Sequence, residues 1–566
     1  KTKIIKKMNI ILSLVLAFCL VQQAIATAGN VERYTLQFGT VQQDERNGVC
    51  VNQNNDNAYI VGFNNNAEMS LTVISFTGIN ILNRVIVDSF TELGMSCVID
   101  ANEDLVVAGT TTGDSFEGVS NPGTANPNGT KTALIVKFNG NTLGTTWVSF
   151  VNNDDATEIT ATGIATDSSN NYFITGTTKG PIGTAIGGSS AAWYGMLNSA
   201  GTLQYKTIVS HGDTTEANCV ALDVTNDFLY VVGTARGQLY DGDGFLSTSI
   251  GGGHTRGVVT KVTASTGAFI EGRTLTAGTS DNLLGCAVDS AGDVYAVGRN
   301  RITSSDRNIV ATKVQPGSSW NVVYNRQVSS GNIADQANAV AVDAAGLVYI
   351  VGQTQEGTIE GFDLLPGGTP NGKTSMFYLK LNADGTTNFV TGYSSGSAVN
   401  DAANGVGLDS YENMIAGGVA GDIIGTGPAA GGNDNYVFSY GDPMPSGAPT
   451  KAPTTVPTMA PTCQVIEIES AHPYPRDDFQ TWTIDVPEWG GCYKTTMDPQ
   501  SWTPEKYDFV RLFSVTSGTE TQLPTADRLY KNRLPDYGTQ NIYGDQVKVD
   551  WYSDYVNPAY LRRYPW

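Results

Sequence analysis

The chain has 566 residues, 54 acidic against 33 basic side chains, a formal charge of −21 and three histidines. Phosphate binding runs on clustered Lys and Arg, so this balance excludes a nucleic-acid binder; it suits solubility and attraction for cations or polycationic partners. Charged residues make up 15% of the chain, Gly numbers 64, and no long helical period appears, which favours an all-β protein with many turns.

Residues 1–28 read as a secretory signal peptide. Lys1, Lys3, Lys6 and Lys7 form a basic lead, and the apolar run 10–20 is too short to span a bilayer. Ala24, Ala26 and Ala28 supply small residues for cleavage, with the mature chain starting near Thr27 or Gly29, and Met8 is a candidate first residue. No second hydrophobic run follows, so the mature chain is expected to lack a transmembrane segment and to be secreted, extracellular or cell-surface associated. Losing the four lysines takes its charge from −21 to −25.

From residue 48 a unit repeats seven times: apolar strand, tight turn, apolar strand. The best copies are Gly285-Cys286-Ala287-Val288-Asp289 with Val294-Tyr295-Ala296-Val297-Gly298, and Ala339-Val340-Ala341-Val342-Asp343 with Val348-Tyr349-Ile350-Val351-Gly352. The turn holds Asn52 in the first copy, then Asp100, Asp167, Asp223, Asp289, Asp343 and Asp409. Spacing varies from 48 (Asn52 to Asp100) to 67 (Asp100 to Asp167), so insertions fall in loops.

Each unit reads as four strands. In the copy near residue 338 they are expected at 339–343, 348–352, 375–381 and 388–394, with a variable Gly-rich loop at 356–373. Seven units of four short antiparallel strands form the pattern of a β-propeller. The seventh runs into Pro443 before a fourth strand can form, while residues 32–39 offer a spare one. An open ring would leave a bare sheet edge, so 32–39 is expected to complete the last blade.

This part, about residues 30–442, resembles a secreted propeller-repeat family (the SBBP-repeat type) whose blades carry a Gly-Val-Ala-Val-Asp core. The resemblance implies a seven-bladed β-propeller over 29–442. It implies almost nothing about the ligand, because propellers host many functions.

Residues 443–462 form a Pro/Thr-rich linker, with Pro449, Pro453, Pro457 and Pro461 each preceding a Thr. Such a spacer is semi-rigid and spans at most about 60 Å, and its threonines are candidates for O-glycans. In 463–566, alternation at 481–486 and 509–513 indicates strands. Tyr474-Pro475, Trp482-Thr483-Ile484, Tyr507-Asp508-Phe509-Val510 and Tyr552-Ser553-Asp554 follow one another as in a CUB domain, a secreted β-sandwich used for protein and glycan contacts. The resemblance implies a calcium ion held by Asp508 and Asp554, with Gln500 in a place where CUB domains carry Glu. Gln offers a neutral, weaker ligand. The four-cysteine pattern of such domains is absent, and Cys463 and Cys492 are expected to form a substitute disulfide.

Of the other cysteines, Cys19 leaves with the signal. Cys50, Cys97, Cys219 and Cys286 all fall in first strands and read as small buried hydrophobes, with pairing of Cys50 and Cys97 as the alternative. Asn128-Gly129-Thr130 is an N-glycosylation sequon in a loop. The repeated Asp reads as a turn stabiliser, because an active site must break the symmetry of a ring whereas a turn recurs with the blade. Asp241-Gly242-Asp243-Gly244-Phe245 reads as an ordinary turn, since it lacks the remaining ligands of a calcium loop. His211, His254 and His472 are too few and scattered for a His-based metal or acid–base site.

These features point to a secreted, non-enzymatic interaction or adhesion protein whose partners are extracellular proteins or carbohydrates. The alternatives are a carboxylate-dependent polysaccharide lyase or hydrolase at the propeller's mouth, and a structural wall or matrix component.

Overall fold

The computed structural model describes most of residues 31–441 and, beyond them, only the backbone of short strands between 479 and 552. Within 31–441 the undescribed residues are 39–43, 65–67, 87–89, 123–129, 156, 187, 210–213, 237–253, 276–279, 302–306, 317–319, 329–334, 356–357, 360–361, 364–373, 394–399 and 421–433. The chain divides into two compact units, Lys1–Ala448 and Pro449–Trp566. No helix occurs among the described residues, and so none there is long and apolar enough to cross a membrane.

The first unit is a seven-bladed β-propeller of antiparallel four-stranded sheets. Six blades follow in chain order: blade 1 (44–85), blade 2 (92–151), blade 3 (159–209), blade 4 (214–275), blade 5 (280–328) and blade 6 (336–393). Blade 7 takes three strands from 402–441, and its fourth and outermost is Val31–Phe38, paired with Asp434–Gly441. The ring therefore closes by the expected one-plus-three arrangement, and the closing strand covers the edge that Asp434–Gly441 would otherwise leave bare. In blade 6 the observed strands Gln336–Val342, Val348–Thr354, Ser375–Leu381 and Thr387–Tyr393 fit the expected register. The first strand begins earlier than its apolar run because a bulge lets it continue through polar residues.

That bulge recurs in every inner strand. The ladder skips one residue in each blade: Asn47, Met95, Thr162, Asn218, Leu284, Asn338 and Asn404. A bulge bends its strand and re-aims the extra side chain, and in blades 3, 4 and 6 that side chain bonds to the next blade. Thr162 Oγ1 donates to the Ala217 carbonyl at 2.7 Å, Asn218 Nδ2 to Leu283 at 2.7 Å and Asn338 Nδ2 to Ala403 at 2.9 Å. The residue after each bulge is small, because neighbouring inner strands pack backbone to backbone. A Cβ on Gly285 would lie 2.9 Å from Ala339 Cα.

Two disulfides cross between inner strands at this level: Cys50–Cys97 joins blades 1 and 2, and Cys219–Cys286 joins blades 4 and 5. This corrects the expectation that these cysteines are free core residues. Inner strands packed this closely put cysteines one to three residues past the bulge within bonding reach (Cα atoms 5.8 and 5.7 Å apart).

The apolar core is shared between blades. Tyr295, Val297 and Ile309 of blade 5 meet Val340, Ile350 and Phe377 of blade 6, and similar clusters fill the other junctions. Each fully buried side chain of this kind contributes about 1.5–3 kcal/mol. Backbone bonds tie the blades further: Ile159, Thr215, Asp335 and Asp401 each donate N–H to the preceding blade, to Lys131, Ser190, Arg307 and Thr374.

In the second unit, Phe479–Asp485, Gln546–Tyr552, Phe509–Thr516 and Thr519–Gln522 form one antiparallel sheet in that order, and Tyr493–Thr495 pairs with Gln540–Ile542. The signal segment, the Pro/Thr linker, Asn128, His211, Asp241–Phe245, Cys463, His472, Cys492, Gln500, Asp508 and Asp554 lie outside the described residues.

Candidate functional site

The repeated Asp caps the turn between the two inner strands. Oδ1 accepts from the N–H groups two and four residues on: Asn102 and Asp104 onto Asp100, Ser169 and Asn171 onto Asp167, Ala291 and Asp293 onto Asp289, Ala345 and Leu347 onto Asp343, and Tyr411 and Asn413 onto Asp409. Asp167 Oδ2 takes Asn171 Nδ2 at 2.8 Å, within its own turn, whereas in Asp100, Asp289, Asp343 and Asp409 Oδ2 takes a partner outside the turn. Lys137 Nζ lies 2.7 Å from Asp100, where Tyr172 of blade 3 also donates; Tyr295 and Lys313 reach Asp289; Tyr349 reaches Asp343. The turn and the packing of the third strand are thus one construction, repeated with variations around the ring.

Blade 4 breaks the pattern. In blade 5 the Asp289 N–H bonds the Asp293 carbonyl across a three-residue turn, whereas in blade 4 the strand runs on until Asp223 pairs with Phe228, leaving four residues in the turn. Asp223 Oδ1 now accepts from the Asn226 N–H at 3.1 Å and Oδ2 from Asn226 Nδ2 at 2.8 Å.

Beside this altered turn a cleft of about 340 Å³ opens between blades 4 and 5. Blade 4 lines it with Asp223, Asn226, Phe228 and Tyr230, and blade 5 with Gly292, Asp293, Gln315, Trp320 and Asn321. Its size is at the lower end of the range for pockets that hold small organic ligands, about 300–1,000 Å³.

Gly292 has φ +81°, and a Cβ there would lie 2.6 Å from Asp223 Oδ2, so the glycine gives the carboxylate its room. Asp293 Oδ2 lies 3.0 Å from Lys313 Nζ and accepts from Gln315 Nε2 at 3.2 Å, while Asn321 Nδ2 donates to Gln315 Oε1. Burial opposes the Lys313 charge, but its bonds to Tyr295 and Asp293 outweigh this and hold its pKa above the ordinary lysine value. Burial, then the charges of Asp223, Glu271 and Asp293, push the Tyr230 phenol up, so it stays protonated.

The aromatic wall is held from behind. Trp320 meets Tyr230 edge to face at 6.3 Å, and Lys261 Nζ stands 3.9 Å from the Phe228 ring centre. Trp320 has φ +38°, a region bulky residues rarely occupy, and its buried indole N–H has no acceptor among the described residues.

The arrangement offers carboxylates and amides around a hydroxylated or cationic group, against an aromatic wall. His254 is exposed, just before the strand Thr255–Thr263 of blade 4. Among the described residues no group of three or more His, Cys, Asp or Glu side chains is placed to hold a metal ion.

Sequence reasoning located Asp223 but not its cleft. The visible signal was the blade 4 copy, Asp223 to Gly233, one residue longer than Asp289 to Gly298.

No family model matches the chain, and no curated protein does. Solved structures do. The WD40 repeats of RRP9 align over 73% of this chain and 99% of that one, at 8% identity and a TM-score of 0.43. A polysaccharide lyase, an ulvan lyase, aligns over 72% and 96% at 8% identity and 0.38. The quinohemoprotein alcohol dehydrogenase from Comamonas testosteroni aligns over 73% and 67% at 9% identity and 0.36. Likenesses this distant do not bear on function, and the propeller is established by its own seven sheets.

Proposed function

We propose that the protein is a secreted, non-enzymatic interaction or adhesion protein that binds extracellular glycans, with the cleft between blades 4 and 5 as the propeller's contact site. The carrying observation is that this cleft lies next to the one repeat Asp whose turn is rebuilt. The two disulfides support an oxidising compartment. The C-terminal unit, read as CUB-like, serves as a second contact module on the Pro/Thr spacer, and two tethered modules raise avidity when both engage.

A second reading, a carboxylate-dependent polysaccharide lyase or hydrolase, is favoured by Asp223 and Asp293 facing one cleft. Against it, Asp293 is already held by Lys313 and Gln315, which leaves Asp223 alone where such chemistry uses a pair of carboxyl groups. General acid–base work needs a carboxyl free to meet the proton it moves.

The test is a screen of the full chain against immobilised glycans and matrix polymers, with calcium and with chelator, assaying products alongside. Retention without turnover is expected. Turnover would install the enzyme reading, and silence would favour the matrix-component one. Retention lost on chelation would assign that contact to calcium at Gln500, Asp508 and Asp554.

A further inference from the structure

We propose that the cleft between blades 4 and 5 takes an amino sugar bearing a free ammonium group. This rests on the glycan-binding reading above and names the class of sugar. Asp223 is 6% exposed and, among the described residues, its side chain accepts hydrogen bonds only from Asn226. Three of its counterparts meet a cation, Lys137 on Asp100, Lys313 on Asp289 and Arg33 on Asp409, whereas Asp343 takes the Tyr349 hydroxyl and Asp167 the Asn171 amide, neither of them lining this cleft. Among the described residues no cation reaches Asp223. A buried carboxylate without a counter-ion is costly, and a ligand ammonium in the cleft supplies the missing charge.

Trp320 makes the opposite demand. It is 4% exposed, lines the same cleft, and its indole N–H has no acceptor among the described residues. Indole is a donor only, so the ligand must bring an oxygen. An ammonium next to a hydroxyl or ring oxygen meets both demands. A lysine side chain meets only the first, and an N-acetylated sugar only the second. The amides of Asn226, Gln315 and Asn321 remain for further hydroxyl groups, and Asp293 is neutralised by Lys313 at 3.0 Å.

Calorimetric titration of the full chain tests this with four probes: a glucosamine oligomer, its N-acetylated counterpart, a glucose oligomer and an oligolysine. The titrations run at about pH 6, where such an amine is protonated. The glucosamine oligomer is expected to bind about tenfold or more tighter than the other three. Asp223→Asn removes that preference, Trp320→Phe weakens binding several-fold, and Asp384→Asn, on an exposed turn of blade 6, changes nothing. Asp223→Asn carries the test by itself if Trp320→Phe fails to fold, which a melting curve reports.

Equal binding of the N-acetylated or glucose oligomer, lost in Trp320→Phe but kept in Asp223→Asn, overturns the ammonium assignment and leaves the glycan site standing. Oligolysine binding as tightly as glucosamine, with Asp384→Asn and Asp223→Asn equal in effect, overturns it in favour of general charge attraction. No binding of any sugar removes both the assignment and the glycan reading.

Discussion

At the junction of blades 7 and 1, the carboxylate of Asp409 is closed over by the N-terminal strand. Arg33 lies 2.7 Å from it with both side chains almost fully buried, its guanidinium 4.2 Å from the centre of the Phe76 ring, and Phe76 packs on Tyr411. At the junction of blades 4 and 5, the equivalent Asp223 meets only an amide, and a cleft remains beside it. At these two junctions the same turn position serves closure where the chain supplies Arg33 and borders a cleft where it supplies only Asn226. The inner strands beneath the cleft are joined by Cys219–Cys286, so that junction is held near the axis while its rim stays open.

The comparison breaks first at Arg33. Arg33→Ala strands Asp409 in the interior and should destabilise the propeller by about 3–5 kcal/mol, whereas Arg33→Met together with Asp409→Asn, which removes both charges and keeps an oxygen for the Tyr411 and Asn413 N–H groups, should cost far less. Urea midpoints measure both, and a loss under about 1 kcal/mol for Arg33→Ala would show that the closure does not depend on the pair.

Replacing Cys219 and Cys286 by Ala opens a loop of 67 residues and should cost about 3–4 kcal/mol. The melting temperature should fall, and ligand binding at the cleft should weaken with it. Unchanged binding would uncouple the staple from the rim.

Alkaline pH tests the buried phenols. Burial, named first among the causes, pushes Tyr59, Tyr194 and Tyr295 up to about 12, against an ordinary value of 10.0. Between those values the unfolded chain gives up protons that the folded one keeps, so stability falls as pH rises. Phenolate absorbance should therefore appear together with unfolding. Ionisation of these three side chains in the folded protein, read as the difference from their Tyr→Phe variants so that exposed side chains such as Tyr411 cancel, would contradict the packing.

Asn338→Ala removes a bulge-to-blade hydrogen bond and should cost about 1 kcal/mol by thermal melting. The smallest effect on stability belongs to Asp223→Asn: less than about 1 kcal/mol, because the Asn226 bonds have near equivalents, against the much larger effect expected of Arg33→Ala.

The propeller was legible because a blade is a local pattern: alternation, turn, alternation, with Asp at the turn. The missing fourth strand after Tyr440 and the spare one at Val31–Phe38 were legible for the same reason. The bulges were not, since Asn338 in sequence is one more polar residue before a strand and only the ladder reveals it as skipped. Cys219 and Cys286 read as core residues because their proximity depends on the inner-strand register, which places them one and two residues past bulges in adjacent blades. The cleft lay furthest from view: Asp223 and Trp320 are almost a hundred positions apart and meet only across a junction.

Hydrogen exchange of the full chain, with and without the saccharide retained in the screen, tests the central claim most directly. Protection confined to the turn after Asp223, the turn around Gly292 and the segment around Trp320 is the predicted result. Protection on the opposite rim, with these three segments unchanged, would contradict a functional site at the junction of blades 4 and 5.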